Sequence, residues 1–162
     1  MFGTEKKLAE LLEQGGLYPD VPGATYREVL SSLVNSLPPA WLAEKIPADT
    51  LLKVVLEREE LMSTSIGKGI ALPHPRIPLI KSANEEFVAL AYLKNPVDWN
   101  SLDGEKVDTL FLIISADAKH HLEVLSKINY FCRQENFYRK IKERAELEEI
   151  VRFIREAEKN WK

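Results

Sequence analysis

The run Ser63-Thr-Ser-Ile-Gly-Lys-Gly-Ile-Ala-Leu-Pro-His-Pro-Arg76 concentrates hydroxyls, glycines, cations and one histidine between apolar flanks. His74 stands between Pro73 and Pro75. A residue that precedes proline is pushed out of the α region, so Leu72 and His74 are both biased to extended backbone. Pro73 fixes its own φ and Pro75 has no N–H to donate. The imidazole is therefore displayed on stiff, extended chain where a strand ends, not on a helix face. A neutral imidazole, with an ordinary pKa of about 6.5, keeps one nitrogen lone pair free for nucleophilic or base chemistry. If the extension persists, Arg76 projects to the same side two residues later. Gly67 and Gly69 allow tight turning and close backbone approach, by a phosphate or by a partner.

Several ordinary sites are excluded by spacing. A nucleotide P-loop needs Gly, four residues, then Gly-Lys-Ser/Thr; here Gly69 follows Gly67-Lys68, and Met62 stands where the first Gly belongs. The chain has three histidines and one cysteine, with no pair at the spacing of a known metal-ligand motif, so no metal and no cofactor are expected. His120 and His121 fall in the first turn of a helix capped by Asp117. Adjacent helical positions point about 100° apart, so only one of the two faces any given site. Spacing groups His121 with Leu125, Ile128 and Cys132, and His120 with Val124 and Lys127. Cys132 reads as a small core residue.

The elements that must hold these groups follow from hydrophobic period. Leu8, Leu11 and Leu12 have helical spacing, stopped by Gly15-Gly16, and Leu17-Tyr18 suits a short strand before turn residues. Thr25-Tyr-Arg-Glu28 is a capping box ahead of Val29, Leu30, Leu33, Val34 and Leu37, and Pro38-Pro39 forbids continuation. A third helix opens near Pro47 and frays near Leu61-Met62. Ile70-Ala71-Leu72 is a short apolar run, and Phe87 to Leu93 and Val107 to Ile114 are strands apolar on consecutive positions. Both their faces must be covered, as in a sheet between helices. Further helices are expected from Ala118 to Cys132, at Phe137 to Ile141, and around Leu147, Ile150, Val151 and Ile154. The fold class is α/β: a mixed β-sheet sandwiched between helices, one domain over residues 1–162.

Composition narrows the function further. With 162 residues, 45% hydrophobic, and a net charge of -3, the chain suits one core and does not attract nucleic acid or anionic membrane in general. The N-terminus is not followed by a signal-type apolar run, and no stretch approaches the ~20 apolar residues of a spanning helix. One cysteine allows no intrachain disulfide. A cytoplasmic location is expected.

Glu57-Arg58-Glu59-Glu60, then Ser63-Thr64, then Ile66-Gly67-x-Gly69-Ile70-Ala71-Leu72-Pro73-His74 resembles the signature of the enzyme IIA domains of the bacterial phosphotransferase system, fructose/mannitol type, which includes the nitrogen-regulatory enzyme IIA proteins. Pro96-Val97-Asp98-Trp99, Asp103-Gly104, the strand from Val107 to Ile114 and His121-Leu122-x-x-Leu125 follow in the family's order. The resemblance implies phosphorylation of His74, with Arg58 and His121 lining the same site and Thr64 contacting the phosphoryl group. The implied donor is the phosphocarrier HPr or its nitrogen-branch paralogue, and the implied acceptor is an enzyme IIB. One departure is Pro75, where the family commonly has a small residue; it stiffens the loop without removing a reactive group.

The chemistry fits the residues. Phosphoryl oxygens need donors placed in advance, and Arg58 offers bidentate, charge-assisted bonds. His121 can orient or donate. Two functions follow. In the first, a phosphoryl carrier passes the group from HPr through His74 to an enzyme IIB in sugar uptake. In the second, a nitrogen-type regulatory protein binds targets according to its phosphorylation state. The lack of a IIB or IIC segment in these residues leans toward the second, or toward a system split over several chains.

Overall fold

A computed structural model describes residues 7–38 and 46–160. The N-terminal six residues, Pro39 and the end at Lys162, on which parts of the sequence reading fall, lie outside the described residues. Among the described residues there are six α-helices and five strands. In chain order they are α1 (Leu8–Gly15), β1 (Leu17–Val21), α2 (Tyr26–Ser36), α3 (Ala48–Leu61), β2 (Ser65–Gly67), β3 (Ile70–Ala71), β4 (Phe87–Val97), β5 (Val107–Ile114), α4 (Ala118–Cys132), α5 (Glu135–Lys142) and α6 (Leu147–Lys159).

The strands form one sheet in the order β1-β4-β5-β3-β2. β1 runs parallel to β4 and β3 parallel to β5, while β4 with β5 and β2 with β3 are antiparallel. The sheet is mixed, and each face has its own core. Ala89, Ala91 and Leu93 of β4 join Leu110 and Leu112 of β5 against Val29, Leu33, Leu51 and Val55 of α2 and α3. The alternate residues Val88, Leu90, Tyr92, Phe111 and Ile113 pack on the other side against α1, α4, α5 and α6. This alternation is why Phe87 to Leu93 and Leu110 to Ile114 are apolar on consecutive positions: both pleat faces are dry there. The expected sandwich is the observed fold.

Two strands outrun their apolar signal. β1 continues through Pro19 and Asp20 to Val21, with a register shift after Tyr18. It pairs only with β4, so an edge position tolerates the proline and the left-handed Asp20. β4 continues past Leu93 through exposed Lys94, Asn95 and Pro96 to Val97, which pairs with Val107 beyond a bulge. At Gly15 the end of α1 lies directly against β4: a Cβ there would run into the Val88 carbonyl.

The capping box at α2 is offset. Thr25 Oγ1 accepts from the Glu28 amide at 3.2 Å as expected, but Glu28 Oε1 reaches Ala24 N at 2.8 Å. The Gly67-Lys68-Gly69 hairpin carries three positive φ values of 87°, 59° and 81°. Its glycines face protein: an added Cβ would meet Asp103 at Gly67, and Lys142 Nζ at 2.6 Å at Gly69. They serve the turn and its packing, and close approach there is to the body of the molecule. Cys132 is a core residue, its thiol pushed up to about 12 by burial.

Candidate active site

The parallel pair β3 and β5 end on the same side of the sheet, where antiparallel β4 begins, since Phe87 pairs with Ile114. Open α/β sheets commonly place ligands at such carboxyl ends. The chain leaves β3 still alongside its neighbours. Leu72 N donates to Thr64 O at 3.1 Å, and Ile113 N donates to Pro73 O at 3.0 Å. These bonds carry His74 to the end of β5 on the extended backbone that the two prolines favour.

His74 is buried, 9% exposed, and its Nδ1 lies 2.7 Å from the Leu72 carbonyl oxygen. A carbonyl only accepts, so Nδ1 carries the proton. This leaves Nε2 as the ring nitrogen with a free lone pair. Burial is the main cause that lowers the His74 pKa; the Leu72 bond opposes this, and the Arg58 charge adds to the lowering.

His121 brings its ring to 4.5 Å from the His74 ring, centroid to centroid, at 53°. Its Nδ1 makes a long 3.4 Å contact with Ser115 Oγ, just beyond the end of β5. Burial first, then the positive charges of His74, Arg58 and His120, push its pKa down to about 4. His121 is therefore neutral at physiological pH, with a ring able to donate one hydrogen bond and accept another. The positive charge in the site comes from Arg58, half-buried in the last turn of α3, whose Nη1 donates to Met62 O at 2.6 Å.

Of the paired histidines, His120 lies on the buried stripe His120-Val124-Ile128-Phe131 of α4, and His121 lies on its flank. Ile128 and Cys132, expected beside His121, thus belong to the stripe that His120 begins. His120 Nδ1 pairs with Glu86 Oε1 at 2.8 Å with both side chains buried, and Glu86 Oε2 accepts from Ala116 N at 2.7 Å. This pair fastens the start of α4 to the start of β4 beside the site.

Thr64 is buried, and both of its donors go to Glu59: N to Oε2 at 2.6 Å and Oγ1 to Oε1 at 2.8 Å. Arg76 is exposed. The chain bends at Arg76 and Ile77, just past the extended stretch. Arg76 lines two clefts on the rim, one with Ser115 and His121, the other with Arg58, Leu61 and Ile77. Glu59, Glu86 and Ser115 were assigned no role by sequence. The acids sit in charged runs that read as solvated faces, and nothing local distinguishes Ser115. Among the described residues, no three His, Cys, Asp or Glu side chains gather into a metal-holding group, and no helix is long and apolar enough to cross a membrane.

A pH titration tests the electrostatics. Lowered imidazole pKa values mean that the unfolded chain binds more protons below the ordinary value of about 6.5. Their contribution to stability is therefore complete above that pH and is lost as the pH falls toward the folded values. The His74 Cε1 proton should titrate below pH 6.5 by NMR, and that of His121 near 4. A midpoint for either ring at or above 6.5 would contradict the burial of the site.

Comparisons with known proteins identify the family. The chain is 34% identical over 127 residues to a nitrogen regulatory protein of Pseudomonas aeruginosa, covering 75% of this chain and 77% of that protein. It is 27% identical over 155 residues to the fructose-specific EIIABC component of the phosphotransferase system of Bacillus subtilis, covering 94% of this chain and 24% of that protein. The fold matches the crystal structure of nitrogen regulatory protein IIA-Ntr from Neisseria meningitidis with a TM-score of 0.74 and 23% identity, over 88% of this chain and 95% of that one. The family model described as phosphoenolpyruvate-dependent sugar phosphotransferase system, EIIA 2, matches residues 11–157, and the chain belongs to that family.

Proposed function

We propose that this chain is a cytoplasmic phosphoryl carrier that accepts the group on His74 Nε2, and that its phosphorylation state controls which proteins it binds. The observation that carries the first part is the bond from Nδ1–H to the Leu72 carbonyl, which leaves Nε2 free in a buried, uncharged ring. The donor is HPr or its nitrogen-branch paralogue, carrying a phosphohistidine. Nε2 attacks phosphorus, the new P–N bond forms as the donor's P–N bond breaks, and that electron pair returns to the donor imidazole. The product ring keeps its Nδ1 proton and becomes cationic, which strengthens its bond to the Leu72 carbonyl. Arg58 supplies a preorganised cation for the phosphoryl oxygens, and His121 a neutral donor. Arg76 is a rim cation for the partner or the phosphoryl group.

The regulatory part is supported by the relative named nitrogen regulatory protein and by the apolar rim. Leu61, Met62, Ile77 and Leu122 are all more than 60% exposed on segments that flank the site. A phosphoryl group adds about -1.5 to -2 charges, enough to disrupt or create an interface centred there. The second reading, relay to an enzyme IIB in sugar uptake, is favoured by the likeness to the fructose-specific component.

The deciding experiment is a capture from the organism's own lysate on wild type, wild type phosphorylated through HPr, and His74→Ala. The regulatory reading expects a target held by the wild type and by His74→Ala, and released on phosphorylation. Capture of only HPr-like donors and an enzyme IIB, with stoichiometric onward transfer, would establish the sugar relay instead. Failure of the wild type to take up phosphate from phosphorylated HPr would remove both.

A further inference from the structure

We propose that Glu59 is a positioning residue that fixes the spacing between Arg58 and the His74 ring, acting through Thr64 and Leu72. The proposal rests on reading His74 as the phosphoryl acceptor, and its basis is an unbroken series of hydrogen bonds. Glu59 follows Arg58 on the last turn of α3, so its side chain leaves the helix about 100° away and turns inward. Its carboxylate takes both donors of Thr64, at 2.6 and 2.8 Å. The carbonyl of Thr64 accepts from Leu72 N at 3.1 Å, and the carbonyl of Leu72 holds His74 Nδ1 at 2.7 Å. The helix that carries the cation and the segment that carries the nucleophile are thus joined by three hydrogen-bonded links through one acidic side chain.

A buried carboxylate is an expensive way to join two elements. Glu59 is 6% exposed, and burial raises its pKa despite the two Thr64 bonds and the adjacent Arg58 charge, which work in the opposite direction. An apolar residue would fill the same space at less cost, but it could not accept from an amide and a hydroxyl at once. Bidentate acceptance fixes both distance and direction, which a packing contact does not. The neighbourhood is rigid on its other side as well. Ser63 Oγ donates to Trp99 O at 2.5 Å, the buried Trp99 ring packs at 5.9 Å against Tyr26, and its indole N–H is near enough to Glu59 to favour the charged carboxylate without closing a regular hydrogen bond. Such support suits a group whose placement must be reproducible, because transfer falls steeply when reacting groups are misplaced by about 1 Å.

The test uses the full chain and purified phosphorylated HPr in single-turnover transfer. Glu59→Asp keeps the charge but withdraws the carboxylate by one methylene. Its limiting transfer rate should fall by about 10²-fold with the half-saturating donor concentration unchanged. Thr64→Val loses the hydroxyl and should transfer at a rate between those of Glu59→Asp and wild type, and Thr64→Ser, which restores that donor, should recover part of the loss while remaining more than twofold slower than wild type. If Glu59→Asp fails to fold, Thr64→Val carries the comparison. Transfer within twofold of wild type in the folded variants, whatever their melting temperatures, would overturn the proposal and leave Glu59 a structural residue.

A second readout does not need the phosphoryl donor, so it separates this proposal from the function it rests on. Arg58 and His121 are the titratable groups beside His74, and Arg58→Gln should raise the His74 midpoint by removing a positive charge. In a Glu59→Asp background the same substitution should raise it less, because Arg58 and His74 are no longer held in register. An equal rise in both backgrounds would refute the proposal even if the wild type accepts no phosphate.

Discussion

His74→Ala takes up no label from phosphoenolpyruvate, enzyme I and HPr, while the wild type gains an acid-labile, alkali-stable adduct. The expectation is an all-or-none effect, because the substitution removes the atom that forms the P–N bond. The other two imidazoles cannot take its place. His120 is buried and paired with Glu86, and His121 Nδ1 meets Ser115 Oγ at a long 3.4 Å, which fixes its tautomer less firmly than the Leu72 carbonyl fixes that of His74. Truncating His74 also leaves the Leu72 carbonyl without its partner, which costs about 1–3 kcal/mol. A loss of labelling must therefore be read beside a thermal melt. His74→Gln separates the two effects, since its amide can still donate to Leu72 O while offering no nucleophile. Labelling of either variant at the wild-type level would move the reaction to another residue and remove the main claim.

The parts of this site that sequence made legible are those fixed by local chemistry. Pro73 and Pro75 constrain backbone directly, so the extended display of His74 followed from two residues without tertiary information. Asp117 caps α4 through Oδ1 and the His120 amide at 2.7 Å, as its type and place demanded. What failed was periodicity where tertiary contacts decide. On α4 an assignment by spacing grouped His121 with Ile128 and Cys132, yet the buried stripe begins at His120, because Glu86, 34 residues away, offers it a carboxylate. Glu59 was hidden by its company in Glu57-Arg58-Glu59-Glu60. Charged runs on helices are usually solvated, and only a fold that brings Thr64 to the inner side of α3 makes one of them a buried acceptor. The lengths of β1 and β4 were lost similarly, since edge pairing and a bulge admit prolines and polar residues that a central strand would reject.

Arg58, His121 and His120 should separate cleanly by how they fail. Arg58→Ala is expected to slow single-turnover acceptance by about 10²–10³, the usual loss when a preorganised charged donor is removed from a transferring group. Arg58→Lys restores the charge but not the planar fork, so it should recover only part of the rate. His121→Ala should cost less, about tenfold, since a neutral donor is weaker than a charge-assisted one and its depressed pKa keeps the ring uncharged. His120→Ala should behave in the opposite way. It leaves the buried Glu86 without its imidazole partner, and breaking such a pair costs about 3–5 kcal/mol of stability, so the variant should melt early. Its folded fraction should nevertheless accept phosphate at nearly the wild-type rate, because its imidazole is engaged by the buried Glu86 carboxylate on a different face of α4 from His121. Rates measured well below each melting temperature, set beside thermal melts, distinguish these outcomes. Equal rate defects at His120 and His121 in fully folded protein would mean that the Glu86 pair acts in transfer itself. An Arg58→Ala rate near wild type would leave the phosphoryl oxygens without the cation assigned to them.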